Sequence, residues 1–217
     1  SKDCNVNQDE INHFNQQAAD WWDLHGPMST LHIINPLRLK YTKEFLNLKD
    51  KHVVDLGCGG GIFSETLAHE GASVTGLDLG AEAIKVAIQH AKKQKLAIKY
   101  REQSIEEHSA PVKGGYDAIF CFEMLEHVPD PKRIIENCTQ ILKPGGWFIA
   151  STINRTAKAF LLAIVGAEYI LNIIPKGSHH YDQLIRPSEL GSWARASLLQ
   201  QRDVRGMHYN PFLKQAS

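Results

Sequence analysis

The chain has 217 residues, is 43% hydrophobic, and balances 24 Lys+Arg against 24 Asp+Glu for a net charge of zero. That length suits a single α/β domain over residues 1–217 with a substantial core, and the charge balance argues against a nucleic-acid partner, which calls for a basic excess. Four cysteines without a C-x-x-C pair, no signal-peptide pattern and no apolar run long enough to span a bilayer point to a reduced, cytoplasmic protein.

Ile11, Phe14, Ala18 and Trp21 recur at helical spacing and predict a helix over 9–22. Trp21-Trp22 at its end reads as core, or as a roof over a flat ligand. Asn35-Pro36 looks like an N-cap followed by proline at the first helical position, with Leu37, Tyr41, Phe45 and Leu48 on one face. Together these helices make residues 1–50 an N-terminal helical cap. Arg38 lies one residue off the apolar face, where its default role is a solvated charge.

Val53-Val54-Asp55-Leu56 reads as a buried strand running straight into Gly57-Cys58-Gly59-Gly60-Gly61, and a helix from Ile62 to about Glu70 follows, stopped at Gly71. Strand, glycine turn, helix is how an open α/β sheet holds a nucleotide-like ligand. Gly59 and Gly61 let a ligand approach the backbone without meeting a Cβ. The next strand, Ser73–Leu77, ends at Asp78, where a ribose is gripped in such folds. The spacing is not the dinucleotide G-x-G-x-x-G. Asp55 inside the strand suits a cationic ligand and would repel a diphosphate, which favours S-adenosylmethionine over NAD.

Ala81–Gln94 predicts a helix and Ala97–Arg101 a weak strand, followed by Ser104 and Ile105, where an adenine is often held. Tyr116–Phe122 is a central strand. Asp130-Pro131 starts a helix with Ile134, Ile135, Cys138, Ile141 and Leu142 buried; Lys143–Gly146 ends it, and Trp147–Thr152 is a fifth strand. The alternation from 53 to 152 predicts a mostly parallel sheet with helices on both faces.

Just past the central strand, Glu123, Glu126 and His127 stand at i, i+3 and i+4. On one helical turn they would share a face, which makes them a candidate divalent-metal triad, against a purely structural role in the turn. His179 and His180 are candidates for a distant ligand, with His179 preferred. Residues 155–186 form an apolar insertion after the fifth strand; Phe160–Ile174 is too short to span a bilayer and reads as a lid, a membrane-interface segment or a buried helix pair. Pro187-Ser188-Glu189 opens a last helix through Ala196, and Leu198–Tyr209 reads as a further strand.

Several segments together carry a resemblance over about residues 9–213: Trp21-Trp22-Asp23, Leu31-His32-x-x-Asn35-Pro36-Leu37-Arg38, Asp55–Gly61, Glu123–Asp130, Val165–Ile170 and Pro175-Lys176-Gly177. In them the chain resembles the bacterial ubiquinone biosynthesis O-methyltransferases. The resemblance implies the Rossmann-like class I methyltransferase fold. It implies S-adenosylmethionine as cofactor, with contacts at Arg38, Gly57, Asp78 and Phe122; Asp55, Gly59, Ser104 and Ile105 join them from the reading of the loops. It implies a divalent metal, commonly magnesium, at Glu123, Glu126 and His127. The acceptors it implies are a polyprenyl-hydroxyphenol and demethylated ubiquinol. It also implies a peripheral place on the inner membrane against its lipid surface, beside other ubiquinone biosynthesis enzymes. Such relatives continue past Tyr209-Asn210-Pro211 into a final strand, for which little of this sequence remains.

The expected chemistry is in-line methyl transfer from the sulfonium to a phenolate. The phenol is activated by the metal, the preferred reading, with Glu126 and His127 at the reacting end, or by His127 or a nearby histidine as general base. A metal-dependent 2′-O-methyltransferase of small RNA, an NAD-dependent oxidoreductase and a non-catalytic lipid-binding scaffold are the rival readings. Zero net charge speaks against the first, Asp55 and the glycine spacing against the second, and methylation of any catechol would exclude the third.

Overall fold

The computed structural model describes residues 5–151, 185–200, 202–203, 207, 209–210 and 215–216. Two helices come first, α1 (Gln8–Gln16) and α2 (Ser29–Phe45), with a single 3₁₀ turn at Ala18–Asp20 between them. Then strands and helices alternate: β1 (His52–Leu56), α3 (Ile62–His69), β2 (Ser73–Asp78), α4 (Ala81–Lys93), β3 (Lys99–Glu102), α5 (Ile105–Ser109), β4 (Tyr116–Phe122), α6 (Pro131–Ile141) and β5 (Leu142–Ser151). A last helix, α7 (Pro187–Ala196), and a short antiparallel pair, β6 (Tyr209–Asn210) and β7 (Gln215–Ala216), close the described chain.

The main sheet has five parallel strands in the order β3-β2-β1-β4-β5. Side-chain alternation splits its core in two. Val54, Leu56, Ile119 and Cys121 face one side, where they meet Ile134, Cys138 and Ile141 of α6. Val53, Ala118 and Phe120 face the other, against Phe63 and Leu67 of α3. The central strands are thus covered on both faces, as their nearly unbroken apolar sequences require. Local signals hold where they were strongest. Asp130 caps α6 by accepting the Arg133 N–H at 3.2 Å, with Pro131 opening the helix, and Gly71 follows α3 in the left-handed region at φ +88°.

Four boundaries differ from the sequence expectation. The first helix stops at Gln16 and gives way to the 3₁₀ turn, so Trp21 lies beyond α1. α2 begins at Ser29, so Pro36 lies inside it and Asn35 is not its cap. Asn35 instead donates to Thr66 Oγ1 at 2.7 Å, and Ile34 is buried. These tertiary contacts offset a proline penalty of about 3 kcal/mol. The described residues of Leu198–Tyr209 short of Tyr209 form no strand, and Leu198 turns to φ +63° just after α7. β5 starts at Leu142, earlier than Trp147, because Leu142 pairs with Tyr116 before the register shifts and resumes at Ala118 with Trp147. The apolar stretch Phe160–Ile174, with His179 and His180, lies outside the described residues.

Candidate active site

In the order β3-β2-β1-β4-β5, the chain reverses its direction of travel between β1 and β4, and open α/β sheets bind ligands at the carboxyl ends of the strands on either side of such a reversal. Three loops meet there. The glycine loop after β1 is tied to β2 by Gly57 N–H and Cys58 N–H, which donate to the Leu77 carbonyl at 2.8 and 3.0 Å. Asp78 then spans the gap: its Oδ2 accepts the Gly59 N–H at 2.8 Å and its Oδ1 the Gly80 N–H at 2.7 Å. Burial raises the Asp78 pKa, and the bonds from Gly80, Gly59 and Leu79 hold that rise back.

Asp55 is 4% exposed and accepts the Ser64 hydroxyl at 2.6 Å. Burial pushes its pKa up to about 6, against the Ser64 bond and the Arg38 charge, which pull it down, and the Asp78 charge, which adds to the rise. Its visible partner is thus the first turn of α3. Ser64 carries no sequence signal for this role.

The backbone of Gly59 and Gly60 is approached as closely as their lack of a Cβ allows, but by the protein itself. The Trp21 indole lies against both, so that a Cβ at either would overlap the ring. At Gly61 the corresponding space belongs to Tyr100 and Ala87. The open backbone surface expected over Gly59 and Gly61 is therefore lined by side chains. Trp22 adds a bond from Nε1 to the Gly60 carbonyl at 2.9 Å and stacks on His90, whose Nδ1 lies 2.8 Å from Glu65 Oε1. Residues 5–22 reach the other two loops as well. Asn5 and Asp130 exchange two hydrogen bonds, at 2.8 and 2.6 Å; Asn15 accepts the Glu82 N–H at 3.2 Å.

After β4 the expected helical turn is only partly formed. Glu123 sits at φ +51°, outside the short 3₁₀ turn Leu125–His127. Glu123, Glu126 and His127 therefore do not share one helical face. Glu123 pairs with Arg38, Nη2 to Oε1 at 2.9 Å. Glu126 is buried, and His127 Nδ1 lies 3.1 Å from Glu10 Oε2. Burial alone would lower the His127 pKa; the Glu10 hydrogen bond and the charges of Glu126, Glu10 and Glu123 outweigh it, so the net direction is upward. Among the described residues no three His, Cys, Asp or Glu side chains converge to hold a metal ion. The expected divalent-metal triad is not assembled in this arrangement, in which Glu123 is paired with Arg38.

Comparison with known proteins decides the family. A ubiquinone biosynthesis O-methyltransferase of Coxiella burnetii (strain RSA 331 / Henzerling II) is 51% identical over 207 residues, covering 95% of this chain and 88% of its own length. The enzyme of that name from Cronobacter sakazakii (strain ATCC BAA-894) is 50% identical over 208 residues, 95% of this chain and 86% of its own. The chain belongs to the ubiquinone biosynthesis O-methyltransferase family. A methyltransferase-domain family profile matches residues 54–150. The fold agrees: a magnesium protoporphyrin IX methyltransferase from Synechocystis PCC 6803 with bound SAH superposes with a TM-score of 0.71 at 19% identity, covering 94% of each chain. The protein is an S-adenosylmethionine-dependent methyltransferase with the class I Rossmann-like fold.

For this methyltransferase the remaining expected contacts fall as follows. Arg38 is not a solvated charge: it is 8% exposed, with its guanidinium 4.9 Å over the Phe122 ring. Phe122 packs edge-on to Phe63 at the end of β4. Ser104 is spent on capping α5, exchanging bonds with Glu107, and the Ile105 side chain is buried in the core, which leaves its backbone to meet a ligand. Glu10, His90 and Glu65 have no counterpart among the residues expected from sequence. Each is an isolated polar residue on a helix, and only the packing of the N-terminal segment brings Glu10 to the end of β4. No helix among the described residues is long and apolar enough to cross a membrane.

Proposed function

We propose that this enzyme transfers the methyl group of S-adenosylmethionine to a hydroxyl of a catechol-like polyprenyl phenol and of demethylated ubiquinol, in ubiquinone biosynthesis. The observation that carries this reading is identity of about half, over nearly the whole chain, to enzymes of that name. The cofactor lies along the ends of β1 and β2, with its ribose on the Asp78 oxygens that also hold Gly59 and Gly80, and the acceptor approaches from the β4 side. Glu10 accepts the His127 Nδ1–H, which leaves Nε2 to take the phenol proton. The phenolate oxygen then attacks the methyl carbon as the carbon–sulfur bond breaks, giving an aryl methyl ether and S-adenosylhomocysteine. The Glu10 bond and the neighbouring acidic charges raise the His127 pKa, which makes the imidazole a stronger base.

A divalent ion would draw on Glu126 and His127, with Glu123 added only if it left Arg38, so proton removal is assigned here to His127. A membrane lipid surface, where a polyprenyl acceptor resides, belongs to the same reading as the place of encounter, and a magnesium requirement is its open competitor at the acceptor end. The test is methylation of a short-chain catechol by the full chain, wild type and His127→Ala, before and after chelation. Turnover that survives chelation and falls at least a hundredfold in His127→Ala supports the imidazole as base. Loss on chelation with recovery on added magnesium overturns that assignment in favour of the metal. No methylation of any catechol overturns the function itself.

A further inference from the structure

Arg38 is the permanent cation buried at the junction of α2 and the end of β4. One face of its guanidinium lies on Phe122, its Nη2 is bonded to Glu123, and its buried Nε has no hydrogen-bond partner among the described residues. The pair is asymmetric: the Arg38 side chain is 8% exposed and the Glu123 side chain 28%. Glu123 also holds a left-handed backbone at φ +51°, a conformation that costs a residue with a Cβ, while its N–H donates to the Ser151 carbonyl at 2.9 Å. Its backbone is thus pinned beside Arg38 while its side chain stays partly exposed.

The cofactor of this enzyme is itself a zwitterion. Its ammonium and sulfonium suit the acidic residues of the site, Asp55, Asp78 and Glu126. Its α-carboxylate needs a cation, and Arg38 with its unused Nε is the buried group that can serve it in two-pronged fashion. Glu123 already occupies part of that guanidinium. Two carboxylates on one buried arginine repel each other, so one must yield, and the partly exposed Glu123 is the one with somewhere to go.

We propose that Glu123 competes with the cofactor's α-carboxylate for Arg38, and that cofactor binding moves the Glu123 carboxylate from Arg38 toward the acceptor. The inference rests on placing S-adenosylmethionine in this cleft. Its consequence is a coupling between the two ends of the site: an acceptor phenol meets the Glu123 carboxylate only after the cofactor has displaced it. By reciprocity each ligand then tightens the other.

The experiment is calorimetric titration of the full chain with S-adenosylhomocysteine and with 5′-methylthioadenosine, which keeps the nucleoside and thioether but lacks the amino-acid end. Wild type, Glu123→Gln, Glu123→Ala and Arg38→Gln are compared, with thermal melts to show that each is folded. Removing the competing charge should tighten S-adenosylhomocysteine about fivefold, the lower end of typical coupling between sites, and leave 5′-methylthioadenosine unchanged. Arg38→Gln should weaken S-adenosylhomocysteine tenfold or more with no effect on 5′-methylthioadenosine. A folded Glu123→Gln protein that binds S-adenosylhomocysteine no better than wild type overturns the competition, as does an Arg38→Gln protein that binds it equally well; in both cases the cofactor site itself stands. Wild type that binds neither nucleoside overturns the cofactor placement on which the inference rests.

Discussion

Trp22 stacks on His90 with ring centroids 3.5 Å apart and planes 7° apart, and the same indole donates Nε1–H to the Gly60 carbonyl at 2.9 Å. One side chain thus ties the N-terminal segment both to α4 and to the glycine loop. Trp22→Ala should cost about 2 kcal/mol of stability from lost packing and a lost hydrogen bond. Trp22→Phe keeps the stack, loses only the bond and should cost about 1 kcal/mol. Urea denaturation of the two variants checks the order. Equal losses would mean that the Gly60 bond contributes everything and the stack nothing.

Gly60 has no left-handed requirement, yet a Cβ on it would overlap the Trp21 indole. Gly60→Ala should therefore destabilise by roughly 1–3 kcal/mol through overpacking alone. Trp21→Ala opens a cavity and is costly in its own right, but the double variant should lose at least about 1 kcal/mol less than the sum of the singles. Strict additivity in thermal denaturation would show that the two residues do not press on each other.

Asp55 supplies a pH dependence. The folded protein keeps the Asp55 proton up to about pH 6, whereas the unfolded chain releases it near the ordinary aspartate value of 3.8. Between those values the folded state binds more protons, so stability falls as pH rises from about 4 to about 6, by on the order of 3 kcal/mol for this group. Asp78, also raised by burial, acts in the same direction. Asp55→Asn retains an acceptor for Ser64 and should flatten most of that slope. Chemical denaturation at a series of pH values measures it; an unchanged slope in the variant would locate the titration elsewhere.

Glu10 lies far from His127 in sequence and 3.1 Å from it in space. Glu10→Gln removes the bond and charge that oppose desolvation, so the His127 pKa should drop from its raised position. The stability that His127 gains from protonation is fully present below the ordinary histidine value and is lost as pH rises through the folded pKa, so the variant should be less stable than the parent on the acid side. The imidazole proton resonances followed through a pH titration give the answer directly. A His127 midpoint that does not fall in Glu10→Gln would show that Glu126 or Glu123 dominates instead.

Sequence alone settled the order of strands and helices from 53 to 151 apart from the short α5 (Ile105–Ser109), together with the glycine turn between β1 and α3 and the placement of Asp78 at the end of β2. These rest on local rules, since alternating apolar runs, caps and turn residues act within a few positions of each other. It also carried the family, through segments spread over nearly the whole chain. What lies across the loops was decided by tertiary structure. Arg38 is read from its helix as a solvated charge, and packing buries it on Phe122 with Glu123 as its partner. Glu123, Glu126 and His127 have helical spacing, but the backbone turns left-handed at Glu123 and breaks the common face. Of the glycines that leave room for a ligand, Gly59 is covered by Trp21 and Gly61 by Tyr100. In each case the determining partner is tens of residues away, and no periodicity records it: which charge is buried, and against what, follows only once the N-terminal segment and α2 are folded over the carboxyl ends of the strands.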